Sequence, residues 1–379
     1  MDSERSGAAV KEAIGFPRKI LIVKLSAIGD VIQTLPMLTA LRRRFPEAQI
    51  DWVVEEEAAG LLKGYPGIDR VLVSRRKTWQ KIFWKKGSFF SILREIRLFV
   101  KDLRKNEYDW VIDNHGVLRS GILVALSRGN RKIGYQETAG IADEGSYLFT
   151  KERYKPLAIE RHALERYLNL VSQLGVPIEN TPFEYEVPQK VLEKIRIRLA
   201  EKGFRNHPLV AIHPVAKWDT KEWPLPRFAL LAETLAKEGG WIVITGSPQD
   251  ARKIEGALEK SQEASKILNW VGRTDLQELA ALFSLADLVI TPDTGPMHLA
   301  AAVKAPLIAL FGPTAPWRTG PYGNGHIVLR KKLPCSPCFR KKCPTGECMD
   351  QITVEEVVKA AEEKLRERGE THGPEQRPS

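Results

Sequence analysis

The sequence predicts an α/β protein built from two Rossmann-like halves, and three observations lead there. Short apolar, β-branched runs alternate with helix-like stretches, which is the pattern of βα units around a mostly parallel sheet. The pattern runs through the chain twice, and a proline-rich, aperiodic segment separates the two passes. With 379 residues, 43% hydrophobic and 28% charged, the chain can support about two domains of about 150 residues.

In the first pass the expected strands are "KILIVKL" from Lys19, "IDWVVEE" from Ile50, "RVLVS" from Arg70, "YDWVIDNHG" from Tyr108 and "KIGY" from Lys132. In the second they are "LVAIHP" from Leu209, "WIVITGS" from Trp241, "ILNWVG" from Ile267, "LVITPDTG" from Leu288, "PLIALFGP" from Pro306 and "HIVLR" from His326. Between them "LGVPIENTPFEYEVPQK" carries three prolines and loses periodicity, which places a boundary near Val187. The expected domains are therefore 18–187 and 188–368. Residues 1–17 and 369–379 are polar and aperiodic and are expected to be disordered tails.

No apolar run reaches the roughly 18 residues of a membrane span, and the N-terminus lacks the apolar centre of a signal peptide, so a cytoplasmic protein is expected. The net charge of +11 favours anionic partners such as nucleic acid, phosphosugars or an acidic membrane surface. No helix-turn-helix, zinc-finger or RNA-binding signature occurs, and nucleic acid is not expected as a partner. The absence of a Gly-x-Gly-x-x-Gly or Walker loop argues against NAD chemistry and ATP hydrolysis.

Ligands of doubly wound sheets sit outside the carboxyl ends of the strands, so the loops there carry the candidate chemistry. After the first strand, "SAIGDVIQTLP" puts Gly29 at a tight turn and Asp30 near a helix start expected at about Asp30. Two readings stand for Asp30: a helix cap that satisfies first-turn N–H groups, or a general base that accepts the proton of an attacking hydroxyl. In the second half "TPDTGPMHLAAA" places Thr294 and Gly295 at a helix start suited to a diphosphate, with Asp293 turned away or organising the turn. His298 falls one turn into that helix, either structural or within reach of a phosphate or ribose. "HPVAKWDTKEWPLPRF" brings Lys217, Lys221 and Arg227 ahead of the next helix, where basic side chains neutralise phosphate charge. Asp250 in "TGSPQDARK" is a ribose-hydroxyl acceptor or a helix-start acid.

With these loops placed, the chain resembles the ADP-heptose:lipopolysaccharide heptosyltransferases, family 9 of the glycosyltransferases. The resemblance extends from Lys19 to about Leu365 and is most specific in "KLSAIGDVIQTLPML", "KEWP" and "TPDTGPMHLAAAVKAPLIALFGPT". It implies the GT-B fold, two Rossmann-like domains facing across a cleft whose closure excludes water. It also implies inverting transfer of heptose from ADP-heptose to Kdo of the lipopolysaccharide inner core. Within the family, "RKTWQKIFWKKGSFFSILREIRLFVKDLRKNEYDWVIDNHGVLRSGILVAL" is most similar to the members that add the first heptose to Kdo-lipid A; those that add the second are the alternative.

By the same resemblance, Asp30 matches the base that deprotonates the acceptor and Lys221 the lysine on the donor phosphates. Asp250 stands at the ADP ribose and Thr274 near the adenine, while Asp293, Thr294, Gly295 and His298 match the loop cradling the diphosphate and heptose. "VAKW" shifts the spacing after His213 relative to the family. Arg75, Arg76, Lys77 and Arg119 are candidates for acceptor carboxylate and phosphate, since a planar guanidinium suits such groups. No cofactor is expected beyond the ADP-heptose substrate, because lysine and helix N-termini replace a divalent ion at the diphosphate.

From Trp79 to Lys105 the apolar residues Phe89, Ile92, Ile96, Phe99 and Leu103 recur at helical spacing, with Lys and Arg on other faces. Such a stretch packs on its own sheet or rests on an anionic interface, and peripheral contact with the cytoplasmic face of the inner membrane is expected. All four cysteines lie in "PCSPCFRKKCPTGECMD", as Cys335, Cys338, Cys343 and Cys348. The CxxC start admits a structural zinc and equally a set of reduced thiols; no metal is predicted.

Overall fold

The computed structural model describes residues 16–84, 89–138, 140–205, 208–258 and 265–371. Among them, Val- and Ile-rich runs with no polar alternation form parallel strands covered on both faces, as such runs must. The first sheet contains β1 (Lys19–Val23), β2 (Gln49–Glu55), β3 (Arg70–Ser74), β4 (Glu107–Asp113), β5 (Arg128–Tyr135) and β6 (Glu152–Tyr154), in the order β3-β2-β1-β4-β5-β6. The second contains β7 (Leu209–Ile212), β8 (Trp241–Ile244), β9 (Ile267–Asn269), β10 (Leu288–Pro292), β11 (Leu307–Phe311) and β12 (Ile327–Arg330), in the order β12-β11-β10-β7-β8-β9. All ladders are parallel, with Ile22 opposite Ile112 in the first sheet and Ile290 opposite Ile212 in the second. Each sheet therefore repeats the same doubly wound order.

The helices are α1 (Ile28–Arg44), α2 (Glu56–Leu62), α3 (Arg76–Trp84), α4 (Phe89–Leu103), α5 (Leu118–Leu126), α6 (Ala163–Ser172) and α7 (Gln189–Glu201). There follow α8 (Leu225–Lys237), α9 (Ala251–Leu258), α10 (Leu276–Leu285), α11 (Gly295–Ala302), α12 (Pro316–Thr319), α13 (Glu347–Asp350) and α14 (Val354–Thr371).

By contacts the chain divides into two units. Unit 1 comprises residues 1–26, 36–158 and 165–181, and unit 2 comprises 27–35, 159–164 and 182–379. Unit 1 has a core of Leu21, Val23, Val53, Tyr108, Val111 and Val124 under the first sheet. Unit 2 has a core in which Trp223, Phe228, Leu231 and Ile254 join residues of the final helix, Val357 and Ala361.

Three expectations change. The first helix begins at Ile28 rather than Asp30. Strand β6 was not anticipated: it has three residues and no apolar run. The apolar residues read at helical spacing, Phe89 to Leu103, form α4, with α3 ahead of it and residues 85–88 outside the described part. The final helix runs to Thr371, beyond the expected start of the tail at 369; the remainder of the expected tails, 1–15 and 372–379, lies outside the described residues, whereas Phe16 and Pro17 are described.

Trp223 of the "KEWP" motif is fully buried, meets Phe228 edge to face at 4.8 Å between centroids, and donates its indole N–H to the Ile352 carbonyl at 2.9 Å. It ties the loop ahead of α8 to the segment that leads into α14. Replacing it, Trp223→Ala, is expected to cost about 3–5 kcal/mol of stability, read as a lower midpoint in urea unfolding of the purified protein.

Candidate functional site

In each sheet the strand order reverses once, between β1 and β4 and between β7 and β10. The carboxyl ends of those strands are where doubly wound sheets bind ligands.

At the second reversal, the loop after β7 makes a short 3-10 turn, Asp219–Lys221, that presents Lys221. Its Nζ lies 2.7 Å from Asp293 Oδ2 and 4.6 Å from the ring centroid of Trp218. Asp293 is 4% exposed and also accepts the Thr314 hydroxyl at 2.6 Å. The Asp293 carboxylate thus faces Lys221 and Thr314. Thr294 precedes α11 with extended backbone, and Pro296 stands in the first turn, where the missing N–H costs nothing. The N–H groups of such a helix start have no acceptor within the helix, which makes the position receptive to an anion.

The turn after β1 packs on this same helix start, within unit 2. A Cβ added at Gly29 would lie 2.4 Å from His298 Cδ2, and one added at Gly295 would lie 3.0 Å from Ile28 Cβ. The first approach requires glycine, and the second is tight for any larger residue. His298 is buried, with Nδ1 2.9 Å from Gln33 Nε2. Asp30 is half-buried, and its Oδ2 accepts the Ala27 N–H at 2.9 Å, so the capping reading is realised. The same residue stands one turn ahead of Gln33, the partner of His298.

Burial pushes the His298 imidazole down to about 4, against the opposing pull of Asp293 and Asp30; His162 and Lys221 add to the lowering. His298 is therefore neutral near pH 7 and acts through hydrogen bonding. His213, whose Nδ1 lies 3.0 Å from Thr245 Oγ1, is likewise pushed to about 4 by burial.

Two further loops border the carboxyl edge of this sheet. Asp250 accepts both the N–H (3.0 Å) and the hydroxyl of Ser247, closing a capping box ahead of α9. The Gly272 N–H donates to the Gly246 carbonyl at 2.9 Å, which brings the loop carrying half-buried Thr274 beside the Asp250 turn. Arg227 departs from its expected phosphate role: its guanidinium donates to the carbonyls of Asp350 and Ile352, the latter at 2.8 Å, and fastens the C-terminal segment. Lys217 is exposed.

At the first reversal, in unit 1, buried Asp113 accepts the N–H groups of His115 (3.0 Å) and Gly116 (3.1 Å) and the Ser120 hydroxyl (3.0 Å). Burial nevertheless raises its carboxyl above the usual range. The locked turn directs His115 Nδ1 to the Leu25 N–H at 3.0 Å and Arg119 to the Ser26 hydroxyl at 3.2 Å. Glu55, 1% exposed at the end of β2, gathers Arg76 at 2.9 Å, Arg119 at 3.7 Å and Lys77 at 3.8 Å. Arg75 stands apart, paired with Glu56 at 3.2 Å and Glu95 at 3.3 Å. Three of the four basic candidates thus converge on a carboxylate that the sequence does not single out. Gln33 and Thr314 were also missed. Thr314 closes the "LFGPT" stretch already noted as specific, and that was the available signal.

The four cysteines are free thiols: Cys335 and Cys343 are exposed, Cys338 is half-buried and Cys348 is buried. Among the described residues, no group of three or more His, Cys, Asp or Glu is placed to hold a metal ion. No helix of the described residues is long and apolar enough to cross a membrane.

Comparison with known proteins gives a consistent picture. The family model described as glycosyltransferase family 9 (heptosyltransferase) matches residues 96–349. Lipopolysaccharide heptosyltransferase 1 of Pseudomonas aeruginosa is 33% identical over 343 residues, covering 87% of this chain and 89% of that protein. The structure of E. coli heptosyltransferase WaaC with ADP superposes with a TM-score of 0.74 at 27% identity, covering 91% of this chain and 99% of that one. Its complex with ADP-2-deoxy-2-fluoro heptose gives 0.72 at the same identity and coverage.

The two neutral, buried histidines set an acid limit on stability. An unfolded chain takes up a proton on each near 6.5, whereas the folded chain resists until about 4, so stability is full above about 6.5 and falls as the pH drops between those values. Urea unfolding at pH 5 is expected to show a loss of about 2 kcal/mol per histidine relative to pH 7. Replacing His213 with Gln is expected to flatten that slope by about half.

Proposed function

The chain belongs to glycosyltransferase family 9, the heptosyltransferases, and is a glycosyltransferase; from that premise we propose that it transfers heptose from ADP-heptose to a Kdo hydroxyl of lipopolysaccharide, with inversion at C1. The observation that carries the reading is the packing of the Asp30 turn onto the Thr294–His298 helix start inside one unit. Residues 188–368 bind the donor and residues 18–187 the acceptor.

In this reading the diphosphate lies against Lys221 and the N–H groups at Thr294 and Gly295. Asp293 and Thr314 keep the ammonium aimed, which is the preorganised charge that such a step requires. His298, being neutral, donates or accepts a hydrogen bond to the sugar or phosphate, while Asp250 and Thr274 flank the ribose and adenine. The acceptor oxygen attacks C1 and the C1–O bond to the β-phosphate breaks, its electron pair leaving with ADP. Asp30 takes the hydroxyl proton. The positive charge at the diphosphate comes from side chain and backbone, so the reading calls for no metal. Arg75, Arg76, Lys77 and Arg119 hold the acceptor's carboxylate and phosphate groups, released in part from Glu55, Glu56 and Glu95. A lipid-linked acceptor places the enzyme at the cytoplasmic face of the inner membrane.

The test is mass spectrometry of products from purified protein given ADP-heptose with Kdo2-lipid A, or with the already heptosylated acceptor. Product from Kdo2-lipid A is expected; product from the heptosylated acceptor alone would assign the second transfer instead. Asp30→Asn, which keeps an acceptor for the Ala27 N–H, is expected to lower kcat by at least about 100-fold with ADP affinity unchanged. Arg119→Ala is expected to raise the acceptor KM about tenfold and leave the donor KM in place, as steady-state kinetics with each substrate varied would show.

A further inference from the structure

Helices α3 and α4 carry an exposed surface that the site chemistry does not use. On α4 one face is spent on its own unit: Ile92 and Leu103 are buried, and Phe99 meets Trp79 of α3 edge to face at 5.8 Å. The acids of these helices are also spent there, Glu95 on Arg75 and Trp79 and Asp102 on Arg70. The outward face carries Phe90, Leu93, Arg94, Arg97, Leu98 and Lys101, which line an open groove of about 290 Å3. At the adjoining ends of the two helices, Phe83, Trp84, Phe89 and Phe90 are 55%, 81%, 53% and 82% exposed.

Four exposed aromatics in two adjacent pairs are costly in water, and three cations with no acid on the same stripe are complementary to a negatively charged plane. Aromatic and leucine side chains beside Lys and Arg are the composition of a helix lying in a bilayer interface. We propose that α3 and α4 form a membrane-docking element, with Trp84 and Phe90 entering the headgroup region and Arg94, Arg97 and Lys101 contacting anionic lipid. The partner is a phospholipid bilayer bearing anionic headgroups. This deepens the functional reading and rests on its lipid-linked acceptor. Arg76 and Lys77, the acceptor candidates, begin the helix that ends in Trp84, about 12 Å away along its axis at the rise of an α-helix. Docking at that end would hold the acceptor-binding cations at the height of a lipid headgroup.

The experiment is co-sedimentation of the full chain, without ADP-heptose, on vesicles of phosphatidylcholine with phosphatidylglycerol and on phosphatidylcholine alone. Binding to the mixed vesicles is expected to exceed binding to the neutral ones at least about tenfold, given three basic residues near the surface. The double variant Trp84→Ser, Phe90→Ser is expected to lose at least about tenfold on the mixed vesicles, while its urea midpoint stays that of the parent. Should that variant fail to fold, Arg94→Gln, Arg97→Gln, Lys101→Gln tests the same surface and is expected to erase the preference for anionic vesicles. Parent protein that stays in the supernatant, or variants that bind as the parent does, would overturn the proposal. So would sedimentation equilibrium showing that the patch joins two copies of the chain and the double variant separates them. Transfer to a water-soluble, deacylated acceptor is measured in parallel: its absence from a parent that still binds vesicles would count against the functional reading and leave the docking element standing.

Discussion

The side chain that Gly29 lacks would have to occupy the space where the edge of the His298 ring stands, at 2.4 Å, and that exclusion governs the candidate site. Protein interiors are packed too densely to absorb an added methyl group between two helix starts, so this contact exists only with glycine there. Once made, it fixes several things together. The carboxylate of Asp30, the N–H groups at Thr294 and Gly295, and the Gln33–His298 hydrogen bond share one small volume, while burial keeps the imidazole uncharged. The cost of burying a charged imidazole outweighs the attraction of the nearby Asp293 and Asp30 carboxylates.

Both reversals of strand order keep their cations on a carboxylate. Lys221 rests on Asp293, and Arg76, Lys77 and Arg119 rest on Glu55. Charges taken out of water are expensive to leave alone, and a pair with a further hydroxyl, as at Thr314, is the economical way to hold a cation ready in a half-buried position. In the proposed reading an incoming anion meets cations already ordered, and those of the first unit exchange part of their contact with the acids for it. The ordering of those side chains has been accomplished before the ligand arrives, which is the principle of preorganisation.

Much of this was legible in the sequence because parallel strands covered on both faces are nearly continuous apolar runs. Eleven strands stand where such runs were read. The twelfth, Glu152–Tyr154, is a three-residue edge strand with no fully buried residue, and no periodicity could have marked it. The loops after β1, β7 and β10 were found because glycine, proline and charge interrupt an apolar run. Glu55 was not found, since it closes the apolar run "IDWVVEE" that was read only as a strand; its importance comes from partners about 20 and more than 60 residues away. Arg227 shows the converse: its position ahead of a helix suggested phosphate, whereas its partners are backbone carbonyls in the C-terminal segment. Sequence patterns report local conformation well and long-range pairing poorly.

Helix α1 belongs to both units: residues 27–35 are counted with unit 2, and from Pro36 onward, where the ring removes an N–H from the helix, the chain belongs to unit 1. This arrangement has a consequence for synthesis on the ribosome. Gln33 precedes its partner His298 by 265 residues. At cellular elongation rates of about 5–20 residues per second, the segment waits on the order of 10–50 s for the helix start that completes its surroundings. For that interval Ile28 lacks the Gly295 turn against which it packs in the folded protein. No single cut in the chain yields two self-sufficient halves, since the second unit includes a segment from the beginning of the first. Residues 27–35, among the first to be made, thus belong to the unit whose other residues are made last.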